Sequence, residues 1–216
     1  MIVEGPIGAG KSTYVKILKQ RLSKYFSVSS VEEPVELWER LGALDRFYKN
    51  PKEEAYRFQM LAYATRMLAL REEYEKNPNV KIRIVERSPR SDHHVFVRKH
   101  VAEGNISASQ YEEYKIWCKA WEYVWPKRPD CVIYVAPPLE ECMKRVRERS
   151  RDGEDEVSRD YQIDLMRNHE DMFRDHCHEK LLRVTQSDDY RPPGLEQDKL
   201  VTDFVEFIGL TLPESP

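Results

Sequence analysis

Five short apolar runs punctuate the chain, at Ile2–Val3, Phe26–Val31, Val80–Val85, Cys131–Val135 and Leu181–Val184, and each predicts a strand. Between them the apolar positions fall into helical periodicity, most clearly over Tyr14–Leu22, Ala55–Tyr74, Tyr111–Val124, Leu139–Arg149 and Arg159–Phe173. Strands that alternate with helices imply an α/β fold with parallel pairing, right-handed crossovers and helices on both faces. Ligands of such sheets bind beyond the carboxyl ends of the strands. The two long helices over 55–74 and 111–124 carry Tyr56, Phe58, Tyr63, Trp117 and Trp121, read as core or subunit contact. No linker, repeat or low-complexity tract interrupts the pattern, so one domain is expected over residues 1–216. The Pro-containing tail after Leu210 is expected to fray.

The chain has 216 residues, enough for one sizeable α/β core. Charged residues make up 34% of it, yet the net charge is only −3. That balance argues against a nucleic-acid binder, which usually carries a basic excess. No apolar run reaches the length of a membrane span, no secretory h-region is present, and the first strand starts at residue 2. The four cysteines, Cys118, Cys131, Cys142 and Cys177, lack C-x-x-C spacing, which argues for reduced structural thiols and against zinc. A soluble protein of the cytoplasm is the expectation.

The first candidate chemistry lies directly after the first strand, in GPIGAGKST (Gly5 to Thr13). Gly5, Gly10, Lys11 and Ser12 carry the spacing G-x-x-x-x-G-K-S, with Gly8 between them and Thr13 following. Such glycines let backbone amides turn onto anionic oxygens, the next helix offers its positive end, and Lys11 reaches terminal phosphates. Ser12 would place a hydroxyl on Mg²⁺. The competing reading is an accidental glycine turn before a helix. A phosphate cradle says nucleotide, and three further stretches bear on the reaction. EEPVELW (Glu32 to Trp38) puts a carboxylate at a strand's carboxyl end, where it can accept a proton from a substrate hydroxyl; otherwise it is a surface loop with a buried Trp. IVERSPRSD (Ile84 to Asp92) ends a strand in Glu86, able to approach a metal shell, and Arg87, able to hold a phosphate or the acceptor oxygen; a structural ion pair competes. The D-x-x-G and N-K-x-D motifs of GTPases are absent. Finally, Arg145, Arg149 and Arg151 surround Asp152-Gly153-Glu154-Asp155 and could clamp a triphosphate as a closing lid, about 145–158, or form an ordinary solvated charged helix.

The order GPIGAGKST, EEPVELW, Tyr48 with Phe58-Gln59, ERS followed by Asp92, RVRERSR with Glu154, and NHEDMF (Asn168 to Phe173) resembles the deoxynucleoside kinase family. That family comprises the deoxycytidine, deoxyguanosine and insect-type broad kinases and the mitochondrial thymidine kinase. The resemblance runs from residue 1 to about 190. It implies a P-loop kinase fold with a five-stranded parallel sheet and an arginine-rich lid. It also implies a homodimer and transfer of the γ-phosphate of ATP, with Mg²⁺, to the 5′-hydroxyl of a deoxynucleoside, for nucleotide salvage. By position, Glu33 is the base, with Arg87 beside it and Glu86 near the metal, although Glu86 is an alternative base. Tyr48 and Glu154 match the pair that bonds the 3′-hydroxyl; Gln59 reads the base edge; Trp38, Phe58 and Phe96 match its aromatic walls. Lys11, Arg145, Arg149 and Arg151 would bind phosphates, and Asp188-Asp189-Tyr190 matches the loop over the donor adenine. The chain departs from relatives at Asp152-Gly153, where they often carry a longer acidic or polar stretch that shapes lid closure.

Base preference turns on the helix that carries Gln59. Ala62 and Arg66 lie three and seven residues on, on the same face. Arg66 with Asp92 matches the charged pair of the deoxycytidine and deoxyguanosine kinases, where thymidine-preferring members tend to be apolar or small. Asp92 can accept from an exocyclic amine and Arg66 can donate to a ring nitrogen or carbonyl. If instead the pair only bridges two helices at the surface, this preference has no basis. Deoxycytidine and purine deoxynucleosides lead, with a thymidine-preferring or broad pyrimidine kinase as the alternative. A nucleoside monophosphate kinase would need a cation for the acceptor's phosphate where Glu33 stands. A non-catalytic nucleotide-binding module remains the rival from another class.

Overall fold

The computed structural model describes residues 1–124, 128–151, 153–185 and 194–210; the tail after Leu210, expected to fray, lies outside them. Its frame is a five-stranded sheet, β1 (Ile2–Glu4), β2 (Val28–Val31), β3 (Ile82–Glu86), β4 (Cys131–Val135) and β5 (Lys180–Val184), in the order β2-β3-β1-β4-β5. Every pairing is parallel, as the alternating pattern predicts. The predicted runs at 26–31 and 80–85 each start two residues early, because Phe26 and Val80 belong to the connections entering the strands.

Alternation along β4 shows how the sheet is covered. Ile133 and Val135 join Val3 and Ile84 in a core closed by α1 (Lys11–Leu22) and α10 (Leu195–Phe207). Val132 and Tyr134 face the other way, onto α9 (Arg159–His176) through Leu165, Met172 and Phe173. With both faces buried, all five residues of β4 are inaccessible, which is why it reads as one continuous apolar run.

A second core is built away from the sheet, from α2 (Val35–Arg40), α3 (Ala43–Lys49), α4 (Pro51–Lys76) and α7 (Ala108–Val124). The aromatics divide as follows: Phe58 and Tyr63 are core, Tyr56 and Trp121 are partly buried, and Trp117 stays 53% exposed. The short α2 and α3 are missed by periodicity, being under two turns each. After β3 the chain enters α5 (Pro89–Ser91), whose cap Ser88 accepts from Ser91 N. It then widens into a π-helical turn over Asp92–Val97 and closes as α6 (Arg98–Ala102). The wide turn leaves the usual i→i−4 bonding, and Asn168 of α9 donates to the Val95 carbonyl at 2.9 Å. α8 (Leu139–Arg149) leads into a short 3₁₀ turn at Glu154–Glu156.

Candidate active site

Register decides which residues meet. β1 lies between β3 and β4, with Val3 opposite Glu86, so the glycine loop leaves the sheet beside the end of β3. Chain connections depart in opposite directions at that point, the usual place for a ligand in a parallel sheet. There a cavity of about 750 Å³ is walled by the glycine loop, the ends of β2 and β3, α2–α4, the π-helical turn, and the end of α8 with the turn around Glu154.

Gly8 has φ 78°, and a Cβ there would stand 2.3 Å from the Cys142 carbonyl oxygen. Only glycine lets the loop lie this close to α8. The loop feeds α1, whose first amides, at Lys11, Ser12 and Thr13, have no carbonyl a turn earlier in the helix and lie at the cavity. Lys11 donates to the Pro6 carbonyl at 3.0 Å, and burial pushes its ammonium down to about 8. Gly5 is a correction. It does not line the cavity; a Cβ there would meet the Val135 carbonyl oxygen at 2.2 Å, so it lets β1 turn against β4.

Glu33 sits at the centre. Arg87 Nε and Arg66 Nη2 both donate to its Oε1, each at 3.0 Å. Burial alone would raise its pKa, but the guanidiniums of Arg87 and Arg66 and the Lys11 ammonium hold it well below the carboxylate range. Arg87 has φ 64°, a left-handed conformation rare outside glycine. It is fixed by its amide on the Val3 carbonyl at 2.8 Å, by Glu33, and by its guanidinium lying 4.6 Å over the Phe96 ring. Glu86 accepts from Ser12 Oγ at 2.7 Å, so the two predicted metal residues meet.

Gln59, Ala62 and Arg66 share the cavity face of α4, as the spacing predicts. The Arg66–Asp92 pair is not at the surface: its side chains are 3% and 2% exposed. Arg66 Nε reaches Asp92 Oδ2 at 2.8 Å and Nη2 reaches Oδ1 at 3.1 Å, a two-pronged fork. Trp38 meets Phe58 edge-on with ring centres 5.4 Å apart. Behind them Phe47 stacks on Phe58 at 4.6 Å.

Each of Arg145, Arg149 and Arg151 has a partner on the protein. Arg145 donates to Glu141 at 2.9 Å and to the Ala9 carbonyl at 3.1 Å. Arg149 is forked onto Glu154, and Arg151 lies 3.7 Å from Glu39 of α2. Tyr48 lines the cavity with Glu154; burial and that carboxylate push its phenol upward. Asp188, Asp189 and Tyr190 fall outside the described residues, as does Asp152. Sequence reading missed Leu44, Phe47 and Tyr161 as lining residues. A tyrosine opening a helix just after a lid is the sole hint of Tyr161.

The deoxynucleoside kinase family model matches residues 1–208. The chain belongs to that family. It is 31% identical over 195 residues to a probable deoxycytidine kinase of fowlpox virus, covering 90% of this chain and 76% of the relative. A thymidine kinase of Ictalurid herpesvirus 1 is 36% identical over 162 residues, 74% of this chain and 67% of the relative. A deoxyguanosine kinase of Bacillus subtilis is 28% identical over 168 residues, 78% and 75% of the two chains. A deoxynucleoside kinase is a phosphotransferase that takes its phosphate from ATP, and the five-stranded parallel sheet flanked by helices is the P-loop kinase fold. Among the described residues no helix is long and apolar enough to cross a membrane.

Proposed function

We propose that this kinase phosphorylates the 5′-hydroxyl of deoxycytidine and purine deoxynucleosides in preference to thymidine. The observation that carries the reading is the buried Arg66–Asp92 fork on the cavity wall beside Gln59. An exocyclic amine can donate to Asp92, while a thymine methyl would meet charge. Glu33 is the base: both guanidiniums donate to Oε1, which leaves Oε2 to take the acceptor's proton. Its depressed basicity suits phosphoryl transfer, where positioning and charge neutralisation outweigh proton abstraction. Arg87 holds the acceptor oxygen. Tyr48 and Glu154 take the 3′-hydroxyl; Trp38, Phe58 and Phe96 enclose the base, with Gln59 on its edge.

The loop from Gly8 to Thr13, with Lys11, Arg145, Arg149 and Arg151, binds the donor phosphates within one domain whose lid spans about 145–158. Asp188, Asp189 and Tyr190 are assigned to its adenine on the family resemblance alone. Mg²⁺ is the metal: a serine hydroxyl and a carboxylate 2.7 Å apart are the oxygen donors a hard divalent cation shares with phosphates and water. It would neutralise charge on the transferred group. We place the enzyme in the cytoplasm, as a homodimer joined through the α4–α7 face, where Leu68, Ile116 and Trp117 are exposed; a monomeric mass in sedimentation would refute the dimer.

One relative, the herpesvirus enzyme, is named a thymidine kinase, and this favours a thymidine-preferring second reading. Initial rates with ATP on the four natural deoxynucleosides separate the two. Thymidine as the best substrate would overturn our preference.

A further inference from the structure

Gln162, in the first turn of α9, is fully buried and is not needed by any step above. Its amide clamps one residue of the glycine loop from both sides. Oε1 accepts from the Ile7 amide at 3.2 Å, and Nε2 donates to the Ile7 carbonyl at 2.6 Å. Ile7 is itself buried and stands immediately before Gly8. Loops lack neighbouring strands to satisfy their backbone, and here a side-chain amide 155 residues away supplies both partners. The same helix starts where the lid ends: Ser158 caps it by accepting from Tyr161 N at 3.1 Å, and Tyr161 lines the cavity.

We infer that Gln162 is a positioning residue for phosphoryl transfer, holding Ile7 so that the amides from Gly8 to Ser12 face the donor, and tying the loop to the root of the lid. The inference rests on the reading of that loop as the donor site. A methionine of nearly the same length fills the space but makes neither bond. It would leave a buried amide and carbonyl unpaired whenever the loop takes its binding conformation. The loop then relaxes elsewhere, and ATP is bound by a minor population.

The test is Gln162→Met with steady-state kinetics in each substrate separately and calorimetric binding of a non-hydrolysable ATP analogue. The KM for ATP and the analogue Kd are expected to rise about tenfold or more, the cost of leaving buried polar groups unmade. The nucleoside KM should stay within about twofold. An unchanged ATP KM, or an equal loss for both substrates, overturns the inference. Lys11→Ala runs alongside: if that variant also leaves ATP binding unchanged, the donor-site reading has failed instead. Should Gln162→Met not fold, Gln162→Glu decides. A protonated carboxyl can both accept from the Ile7 amide and donate to its carbonyl, whereas the carboxylate can only accept. Its ATP KM relative to wild type should fall toward parity as pH is lowered. A pH-independent ratio overturns the inference.

Discussion

Removing the Arg66 guanidinium would strand a carboxylate. Arg66 is shared, with Nε and Nη2 on Asp92 and Nη2 also on Glu33. In Arg66→Met, Glu33 keeps Arg87, but Asp92 is left almost fully buried without its charge partner. Breaking a buried pair from one side costs about 3–5 kcal/mol. For a chain of this size that is a fall in Tm of roughly 6–20 °C. Asp92→Ala is milder, about 2–3 kcal/mol, because Arg66 retains Glu33. The double variant Arg66→Met/Asp92→Ala removes both charges and leaves mainly a small cavity, about 1–2 kcal/mol. The cycle should therefore be non-additive by at least about 3 kcal/mol. Denaturant titration of the four proteins at pH 7 measures it. The same proteins report specificity: kcat/KM for thymidine over that for deoxycytidine and deoxyguanosine should rise in the double variant, where a thymine methyl no longer meets charge. Arg66→Met alone should be poor on every nucleoside. Single costs that add within about 0.5 kcal/mol would refute the energetic coupling. A thymidine ratio that does not move would return the pair to a structural role.

Three other outcomes follow from the geometry. Glu33→Gln should slow turnover by roughly two to four orders of magnitude with little change in nucleoside affinity; wild-type turnover in Glu33→Gln together with a slow Glu86→Gln would move the base to Glu86. With Tyr48 and Glu154 on the 3′-hydroxyl, a 2′,3′-dideoxynucleoside should be a poor substrate, and equal kcat/KM on deoxy and dideoxy acceptors would remove that role. Burial pushes His100 from its ordinary 6.5 down to about 4, so between those values the unfolded chain takes a proton the folded one refuses. Stability should fall as pH drops through that window, by up to roughly 3 kcal/mol from this residue, and a Tm slope that His100→Gln leaves unaltered would exclude it.

The sequence determined whatever is local or periodic. Strands of a sheet buried on both faces must be apolar throughout, so β4 is legible end to end. A loop that cradles phosphate needs its glycines and lysine at fixed offsets, so Gly5, Gly10, Lys11 and Ser12 are legible as one unit, whereas only the structure sets Gly8 against α8 and Gly5 off the cavity. The face shared by Gln59, Ala62 and Arg66 follows from the 3.6-residue turn. Tertiary structure decided which charges meet. Arg66 had many carboxylates within reach along the chain, and only the approach of β2 and the π-helical turn to α4 selected Glu33 and Asp92. The cluster of Arg145, Arg149 and Arg151 is legible along the chain, but the ties of Arg149 to Glu154 and of Arg151 to Glu39 on the short α2 are set by packing. The clamp of Gln162 on Ile7 carries no sequence signal: a glutamine in a helix's first turn is ordinary, and its meaning lies in a contact across 155 residues. Hydrogen-bond partners distant in sequence are fixed by how layers pack, and periodicity records which face is buried without recording what it is buried against.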